Sequence, residues 1–534
     1  MTPLSRHGPA VAAVLLYLLT AVLLYSAVLG ATGGTFTYVL DDAYIHMAVA
    51  KNLAASGTWG VNPGEFASVS SSPLWTLLLG GVYALSGPSD LSPLFLNLLF
   101  GVLALLLFHR LLLDEGLGFT ARNGLMTAFL FATPLPTMAF TGQEHTLHIL
   151  LTLVFFRLVL RGLAEPSVLP GTGGTLGLGL AAAALTACRY EGAFMACAAG
   201  LLFAFRKDWK RLMVTGAASA LPIALYGAVS LSKGWAFLPN SLLLKGMHLN
   251  FSHPAAIVRS LGGTAFRQLS ENGHLLTAFL AGLLFLLLSA PLPAPKGRDR
   301  SVVALFLVTV LLHLQFARAG WFYRYEAWLV ALALAALAVA ASDRRWALPD
   351  PHPLRLVAAA GLALFACAPF AVRAYGALAQ VPGAARNIFE QQAQMAEMLR
   401  RSFPGEAVAV NDIGVIGYYG GVRILDLWGL ATMEVARHKL DRTYSTSIIA
   451  GLAKNRGVEV AALYDDWYDA YGGLPPDWEK MGKWTIRDNI VCGRDTVAFY
   501  AATPEGRERL VQALRAFAPH LPPSVLQSGA YLER

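Results

Sequence analysis

"YVLDDAYIHMAVAKNLAASG", Tyr38–Gly57, sets two carboxylates, Asp41 and Asp42, about ten residues past a long apolar run. That run, Val11–Leu29, approaches the roughly 20 residues a helix needs to cross about 30 Å of hydrocarbon. The segment after the pair reads as a helix apolar enough to lie at a membrane surface. Asp is favoured at a helix N-cap and in the first turn. Capping therefore accounts for one carboxylate and leaves the other without a structural purpose.

The rest of the chain places that pair outside a membrane. Its 534 residues are 56% hydrophobic and 14% charged. Soluble domains run near a quarter charged, so the composition favours a membrane protein. The net charge of +8 does not point to nucleic acid, because the Arg and Lys residues flank apolar runs instead of forming a stripe. The cysteines, Cys188, Cys197, Cys367 and Cys492, show neither metal-type spacing nor a pairing framework. The N-terminal run is too long for a signal-peptide h-region and reads as an uncleaved first span.

Orientation follows from basic residues beside the spans. Arg6 puts the N-terminus in the cytoplasm. Arg157 and Arg161, the Arg206–Arg211 group, Lys296, Arg298 and Arg300, and Arg344 and Arg345 all fall inside if the run Pro73–Ser86 does not cross. Pro73–Ser86 is then an interfacial helix on the outer face. Eleven spans result: the first run, the run through Leu94–Leu113, then about Asn123–Phe140, His145–Leu163, Leu176–Arg189, Glu191–Phe205, Leu212–Leu231, Leu275–Ser289, Val302–Phe316, Tyr325–Ala341 and Leu356–Tyr375. The predicted architecture is a polytopic α-helical membrane domain over 1–376 followed by an outside α/β domain over 377–534. In the tail, "EAVAVND", "VRILDLWG" and "VEVAALYDD" read as strands, and Thr503 as the N-cap of "TPEGRERLVQALRAF".

On this topology ionisable groups collect on one side. Asp41, Asp42 and His46 lie in the first outer loop, Glu144 in "TGQEHTL", and Arg189 and Glu191 in "CRYEG". Asn240 and Lys245 lie in "LPNSLLLKG", and Arg318, Arg324, Tyr325 and Glu326 in "RAGWFYRYE". Charges at a membrane edge are costly and default to function. Each also has a plainer reading. Arg324 could anchor at the interface, Arg189 and Glu191 could simply pair, Glu144 could sit at a helix N-terminus, Lys245 could be solvated, and His46 reads first as a satisfied polar residue. "SVSSSPLW" reads as a polar entry to the interfacial helix, and "YDDWYDAYGG" as a packed domain edge. Carboxylates beside cations suit transfer of a sugar from a lipid phosphate. Lys or Arg holds the departing phosphate, and a loop carboxylate activates an acceptor hydroxyl.

"DDAYIHMAVAKNLAASGTWGVNPGE…SSPLW" resembles the first-loop motif of the GT-C superfamily, polytopic glycosyltransferases that use polyprenyl-phosphate sugars. It is most similar to the bacterial arabinofuranosyltransferase-like branch. "TGQEHTLHILL", "ALTACRYEGAF", "LPNSLLLKG", "WFYRYEAWL" and "NDIGVIGYYGGVRILDLWGL" follow in the family's order. The resemblance implies Asp41 as catalytic base with Asp42 as neighbour or alternative. It also implies Arg189, Lys245 and Arg324 near the donor phosphate or sugar, with Arg318 a further candidate cation. Glu144, Glu191, Asn240, His46 and Tyr325 are substrate-site candidates without fixed roles. His145 and Tyr190 depart from the family's Thr and Pro. The Ser232–Gly273 loop carries Glu271 and no Asp, so metal-independent chemistry is expected, with no cofactor.

The expected activity is inverting transfer of one sugar, a pentofuranose among the candidates, to a glycan, lipid or protein acceptor outside a bacterial cytoplasmic membrane. A transporter or flippase of a lipid-linked sugar is the alternative, and a binding module working through the tail is a weaker one. Transporters show internal repeats and broken helices near the midplane, and neither stands out in this sequence.

Overall fold

The structure, a computed structural model, describes residues 3–164, 171–246, 262–289, 298–342 and 353–533. Lys296, Arg344 and Arg345, and residues 247–261 of the Ser232–Gly273 loop, lie outside the described residues.

The first run forms α1 (Pro3–Ala31), and the acidic loop forms α2 (Asp41–Ser56) and α3 (Pro73–Ser86). α4 (Ser92–Asp114), α5 (Phe119–Ala132), α6 (Leu135–Phe140) and α7 (His145–Ala164) follow. Then come α8 (Gly171–Cys188), α9 (Gly192–Phe205), α10 (Trp209–Ser232) and the short α11 (Asn240–Lys245). Further helices cover Gly263–Glu271, Gly273–Ser289, Asp299–Phe316, Ala327–Ser342 and Pro353–Ala379.

Six described helices are long and apolar enough to span: Arg6–Ala31, Ser92–Asp114, His145–Leu163, Trp209–Ser232, Asp299–Phe316 and Gly361–Ala379. A seventh is counted if Gly263–Glu271 and Gly273–Ser289, bent by 112°, act as one. Six, or seven with the bent pair, of the expected eleven thus meet that length and apolarity among the described residues; Gly174–Cys188, Gly192–Phe205 and Ala327–Ser342 are shorter apolar helices. α9, with 14 residues, rises only about 21 Å at 1.5 Å per residue. The expected span Asn123–Phe140 is two helices, because Pro134 and Pro136 interrupt the backbone ladder after Thr133. "CRYEG" does separate two helices, α8 and α9.

The α2 helix does not lie on a surface. It is buried along most of its length, from Ala43 to Ala50, between α3 and the short helix Gly414–Tyr419 of the tail. α3 has the expected bounds and is amphipathic, with Trp75, Leu79 and Tyr83 buried and Leu77 and Leu85 exposed.

The tail carries a six-stranded sheet of order β2-β1-β3-β5-β4-β6. Its strands are β1 (Ala407–Val410), β2 (Arg423–Asp426), β3 (Val460–Leu463), β4 (Glu479–Thr485), β5 (Thr496–Ala501) and β6 (Leu526–Ser528). β1 pairs in parallel with β2 and β3, and the β3–β5, β5–β4 and β4–β6 pairs are antiparallel. "AVAV" of β1 is buried throughout, as a strand covered on both faces requires. Thr503 caps the helix Pro504–Phe517 by accepting from the Gly506 amide. One apolar core runs from Val28, Tyr44 and Trp75 through Ile416 to Val408 and Trp484, so the first loop and one sheet face fold as a single packing unit. The second sheet face has its own core around Leu425, Ile449 and Tyr468.

Candidate active site

Neither aspartate caps its own helix. Leu40 occupies the cap position of α2 and makes no side-chain cap, with Asp41 and Asp42 in the first turn. The Asp41 carboxylate instead reaches the tail: Oδ2 accepts from the Gly414 amide and Oδ1 from the Val415 amide, each at 2.8 Å. Glycine at 414 is required by this approach, since a Cβ there would sit 2.0 Å from the Asp41 carbonyl oxygen.

Asp42 faces cations. Its Oδ2 lies 2.6 Å from Arg324 Nη2 and its Oδ1 lies 3.8 Å from Lys245 Nζ. Arg324 is buried and forked, donating from Nη1 to Gln143 Oε1 at 2.6 Å. The turn before it holds Gly320, Trp321, Phe322 and Tyr323 all at positive φ. Three consecutive bulky residues in the left-handed region store strain, and the packing around them fixes where Arg324 enters.

Lys245 ends α11, whose first residue is anchored twice. The Asn240 amide donates to Ser68 O at 3.0 Å, and its side-chain Nδ2 donates to Gly429 O at 2.8 Å. Asn240 thus joins the stretch before α3, α11 and the tail. Ser68, Ser70 and Ser72 of "SVSSSPLW" are buried, and Ser72 donates to Cys188 O at 2.5 Å, so this stretch builds structure.

Arg189 is occupied on both arms, with Glu144 Oε1 at 2.5 Å and Glu191 Oε1 at 2.6 Å. His46 Nε2 lies 3.8 Å from the other Glu144 oxygen, while its Nδ1 faces Thr76 Oγ1 at 2.9 Å. The Tyr325 ring lies between the Arg189 and Arg324 guanidinium groups, 5.6 and 4.9 Å from its centroid. Asp42, His46, Glu144, Arg189, Glu191, Lys245, Arg324 and Tyr325 thus form one connected cluster, with Asp41 next to Asp42 in the same helical turn and Asn240 at the start of the helix that carries Lys245. Arg318 does not join it, being exposed and without an ion pair among the described residues.

Sequence reasoning passed over three residues of the tail. Asp412, just after β1, accepts from Gln392 Nε2 at 2.8 Å and lies 2.7 Å from the Tyr464 hydroxyl. Its charge acts on Asp41 and Lys245, and the Asp42 charge acts on it. The available signal was its place directly after a buried strand, where α/β sheets carry their working groups.

Burial opposes ionisation of Asp42, but Lys245 and Arg324 outweigh it and hold the carboxyl well below the usual range. The Lys245 ammonium is raised in turn by Asp42, against its own burial. Burial keeps His46 neutral by lowering its pKa, against the pull of Glu144 and Asp42. Asp41 and Asp412 are both pushed up, first by burial; Asp412 adds to the rise at Asp41, and the Asp42 charge adds at both.

Two solved structures share this arrangement of helices and sheet. ArnT from Cupriavidus metallidurans bound to undecaprenyl phosphate aligns over 94% of this chain and 99% of its own, at 14% identity and a TM-score of 0.54. An Archaeoglobus fulgidus oligosaccharyltransferase in complex with Zn and sulfate aligns over 90% of this chain and 73% of its own, at 12% identity and a TM-score of 0.51. The chain has the GT-C fold. The mycobacterial arabinofuranosyltransferase AftD also aligns, over 91% of this chain and 41% of its own, at 14% identity and a TM-score of 0.43, too loosely to select a branch. The family described as "Domain of unknown function (DUF8728)" matches residues 386–500, a span that includes both Asp412 and Tyr464. No curated protein matches the sequence.

A cavity of about 650 Å³ adjoins the cluster. The Gly320–Tyr323 turn, His274, Glu326, Phe365 and Arg373 are among its lining residues. Buried Glu326 pairs there with Arg373 at 2.8 Å and accepts from the Gly320 amide at 2.7 Å. The strained turn joins cavity to cluster: Tyr323 lines the one, and Arg324 reaches Asp42 in the other. Among the described residues, no three His, Cys, Asp or Glu side chains gather as a metal site.

Proposed function

We propose that this GT-C chain is an inverting glycosyltransferase. It moves one sugar from a polyprenyl-phosphate donor to an acceptor hydroxyl at the outer face of a bacterial cytoplasmic membrane. The observation that carries the reading is Asp42 set between Lys245 and Arg324 with Asp41 beside it. The two cations are placed to take a phosphate, which competes with Asp42 for them. Asp41 removes the acceptor proton as the acceptor oxygen bonds to the anomeric carbon. The bond from that carbon to the phosphate oxygen breaks on the opposite face, its electron pair staying on the phosphate held by Lys245 and Arg324. A phosphate leaves without a strong acid, so one base suffices. The ArnT structure with undecaprenyl phosphate supports a lipid-phosphate donor by likeness of fold.

The test is to incubate purified full-length protein with polyprenyl-phosphoryl sugars, a pentofuranosyl one included, and envelope extracts as acceptors. A new glycosidic product with release of polyprenyl phosphate is expected. Translocation of the lipid-linked sugar in vesicles with no new linkage would favour a flippase.

A further inference from the structure

The two arginines of the site are anchored by different kinds of group. Arg189 meets a carboxylate on each arm, Glu144 at 2.5 Å and Glu191 at 2.6 Å. Its one positive charge is opposed by two negative ones. Arg324 meets a carboxylate on one arm, Asp42 at 2.6 Å, and Asp42 is shared with Lys245. Two cations therefore divide one carboxylate between them. The other arm of Arg324 donates to a neutral amide, Gln143 Oε1, at 2.6 Å.

Gln143 was not among the residues singled out by sequence, yet its place is closely set. A guanidinium can only donate, which fixes Oε1 as the atom that faces Arg324. The same oxygen lies 3.1 Å from His145 Nε2, and the residue is buried. The backbone before it is tied to the first loop, where the Val39 amide donates to Phe140 O at 3.2 Å. Gly142 stands at φ +66°, and a Cβ there would lie 2.7 Å from Tyr38 Cδ1 and 2.8 Å from Ala43 Cβ. Ala43 follows Asp42 directly. The turn that carries Gln143 is thus seated on the turn of α2 that carries Asp42.

A phosphate drawn to Lys245 and Arg324 displaces Asp42 from them. Arg324 then loses one anchor and keeps the Gln143 contact, with the Tyr325 hydroxyl 3.1 Å from Nη2. A neutral acceptor orients the guanidinium without opposing its charge, so that charge stays available to the incoming anion. Arg189, with a carboxylate on each arm, is not suited to such an exchange.

We infer that Gln143 is a positioning residue for the donor phosphate: it holds Arg324 in place by one arm while the other arm exchanges Asp42 for the phosphate. This rests on the glycosyltransferase reading for the identity of the anion, and on the geometry alone for the hold on Arg324.

The test uses the full-length protein in detergent with undecaprenyl phosphate alone as the probe. Asp42→Asn removes the competing carboxylate and binds the probe more tightly than wild type. Gln143→Met weakens binding about tenfold or more, as for a lost hydrogen bond to a charged group, and removes the gain made by Asp42→Asn. In an Arg324→Met background, or Arg324→Gln if that variant does not fold, Gln143→Met has little further effect. A residue that merely shaped the turn would weaken both backgrounds alike. Without ligand, Gln143→Met lowers the melting temperature in Asp42→Asn at least as much as in wild type. The inference is overturned if Gln143→Met leaves binding unchanged, if its loss is the same with and without Arg324, if Asp42→Asn binds no more tightly, or if the melting shift disappears in Asp42→Asn. If wild type binds no undecaprenyl phosphate, the donor reading fails, while the melting temperatures still decide whether Gln143 holds Arg324 independently of Asp42.

Discussion

Asp41 Oδ2 accepts a hydrogen bond from the Gly414 amide at 2.8 Å, across 373 positions of sequence. This contact joins the acidic first loop of a membrane domain to the turn after β1 of the tail. It brings Asp41, Asp42 and Asp412 to one place and makes the tail a wall of the site.

Gly414→Ala removes that junction. The added Cβ would stand 2.0 Å from Asp41 O and 2.7 Å from its carboxylate, and both neighbours are fixed. Overpacking of this kind costs about 1–3 kcal/mol. Transfer is expected to fall more steeply than thermal stability, measured side by side on the purified variant.

Arg324→Lys keeps the charge and loses the fork. A single ammonium cannot replace the two arms that reach Gln143 and Asp42, each at 2.6 Å. Loss of one oriented donor at a developing anion costs about 10²–10³ in rate. Steady-state kinetics should show the drop mainly in kcat, with more conserved in Arg318→Lys, whose side chain is exposed and outside the cluster.

Much of the scaffold was legible in the sequence, and the reasons differ element by element. α3 shows its bounds because Pro73 opens it and Gly87 closes it. The α8–α9 break shows because three polar residues, Arg189, Tyr190 and Glu191, interrupt an apolar run. The lengths of the shorter apolar helices, such as the 14 residues of α9, do not show, because apolarity does not fix where a helix ends. β4, "EKMGKWT", alternates poorly and is bulged between Lys480 and Gly482, so no strand pattern appears. The connection of Asp42 to Lys245 and Arg324 followed from the expectation that all three lie on one side of a membrane. Asp412 stayed hidden because its partners come from three separated stretches, Asp41, Gln392 and Tyr464, and from a π-helical segment with no sequence signature. Asp41 as a bridge to the tail was hidden for the same reason: its partners, the Gly414 and Val415 amides, lie more than 370 positions away.

The charge pairs set opposite pH dependences. Asp42, held below the usual range by Lys245 and Arg324 against its burial, stabilises the fold above its unfolded value of about 3.9. That contribution is lost as pH falls through the lower folded value. Asp41 and Asp412, raised chiefly by burial, contribute in the other sense: stability is full below about 3.9 and declines as pH rises through their folded values. Melting temperatures from pH 3 to 9 should therefore fall less on the acid side in Asp42→Asn, and less on the neutral side in Asp412→Asn, than in wild type.

Arg373→Met strands a buried carboxylate. Glu326 keeps the Gly320 amide at 2.7 Å and His274 at 3.4 Å but loses its strong cation. Breaking one side of a buried pair costs about 3–5 kcal/mol. Unfolding of the variant in detergent should occur at markedly lower temperature, and Glu326→Gln combined with Arg373→Met should recover part of the loss.

The central claim is that Asp41 removes the acceptor proton in a sugar transfer that inverts the anomeric carbon. The most direct measurement is the anomeric configuration and rate of product formed from a polyprenyl-phosphate sugar by wild type, Asp41→Asn and Asp42→Asn. The account predicts a product inverted relative to the donor and a loss of about 10²–10⁴ in rate for Asp41→Asn. A product with retained configuration, or full transfer by both variants, would contradict it.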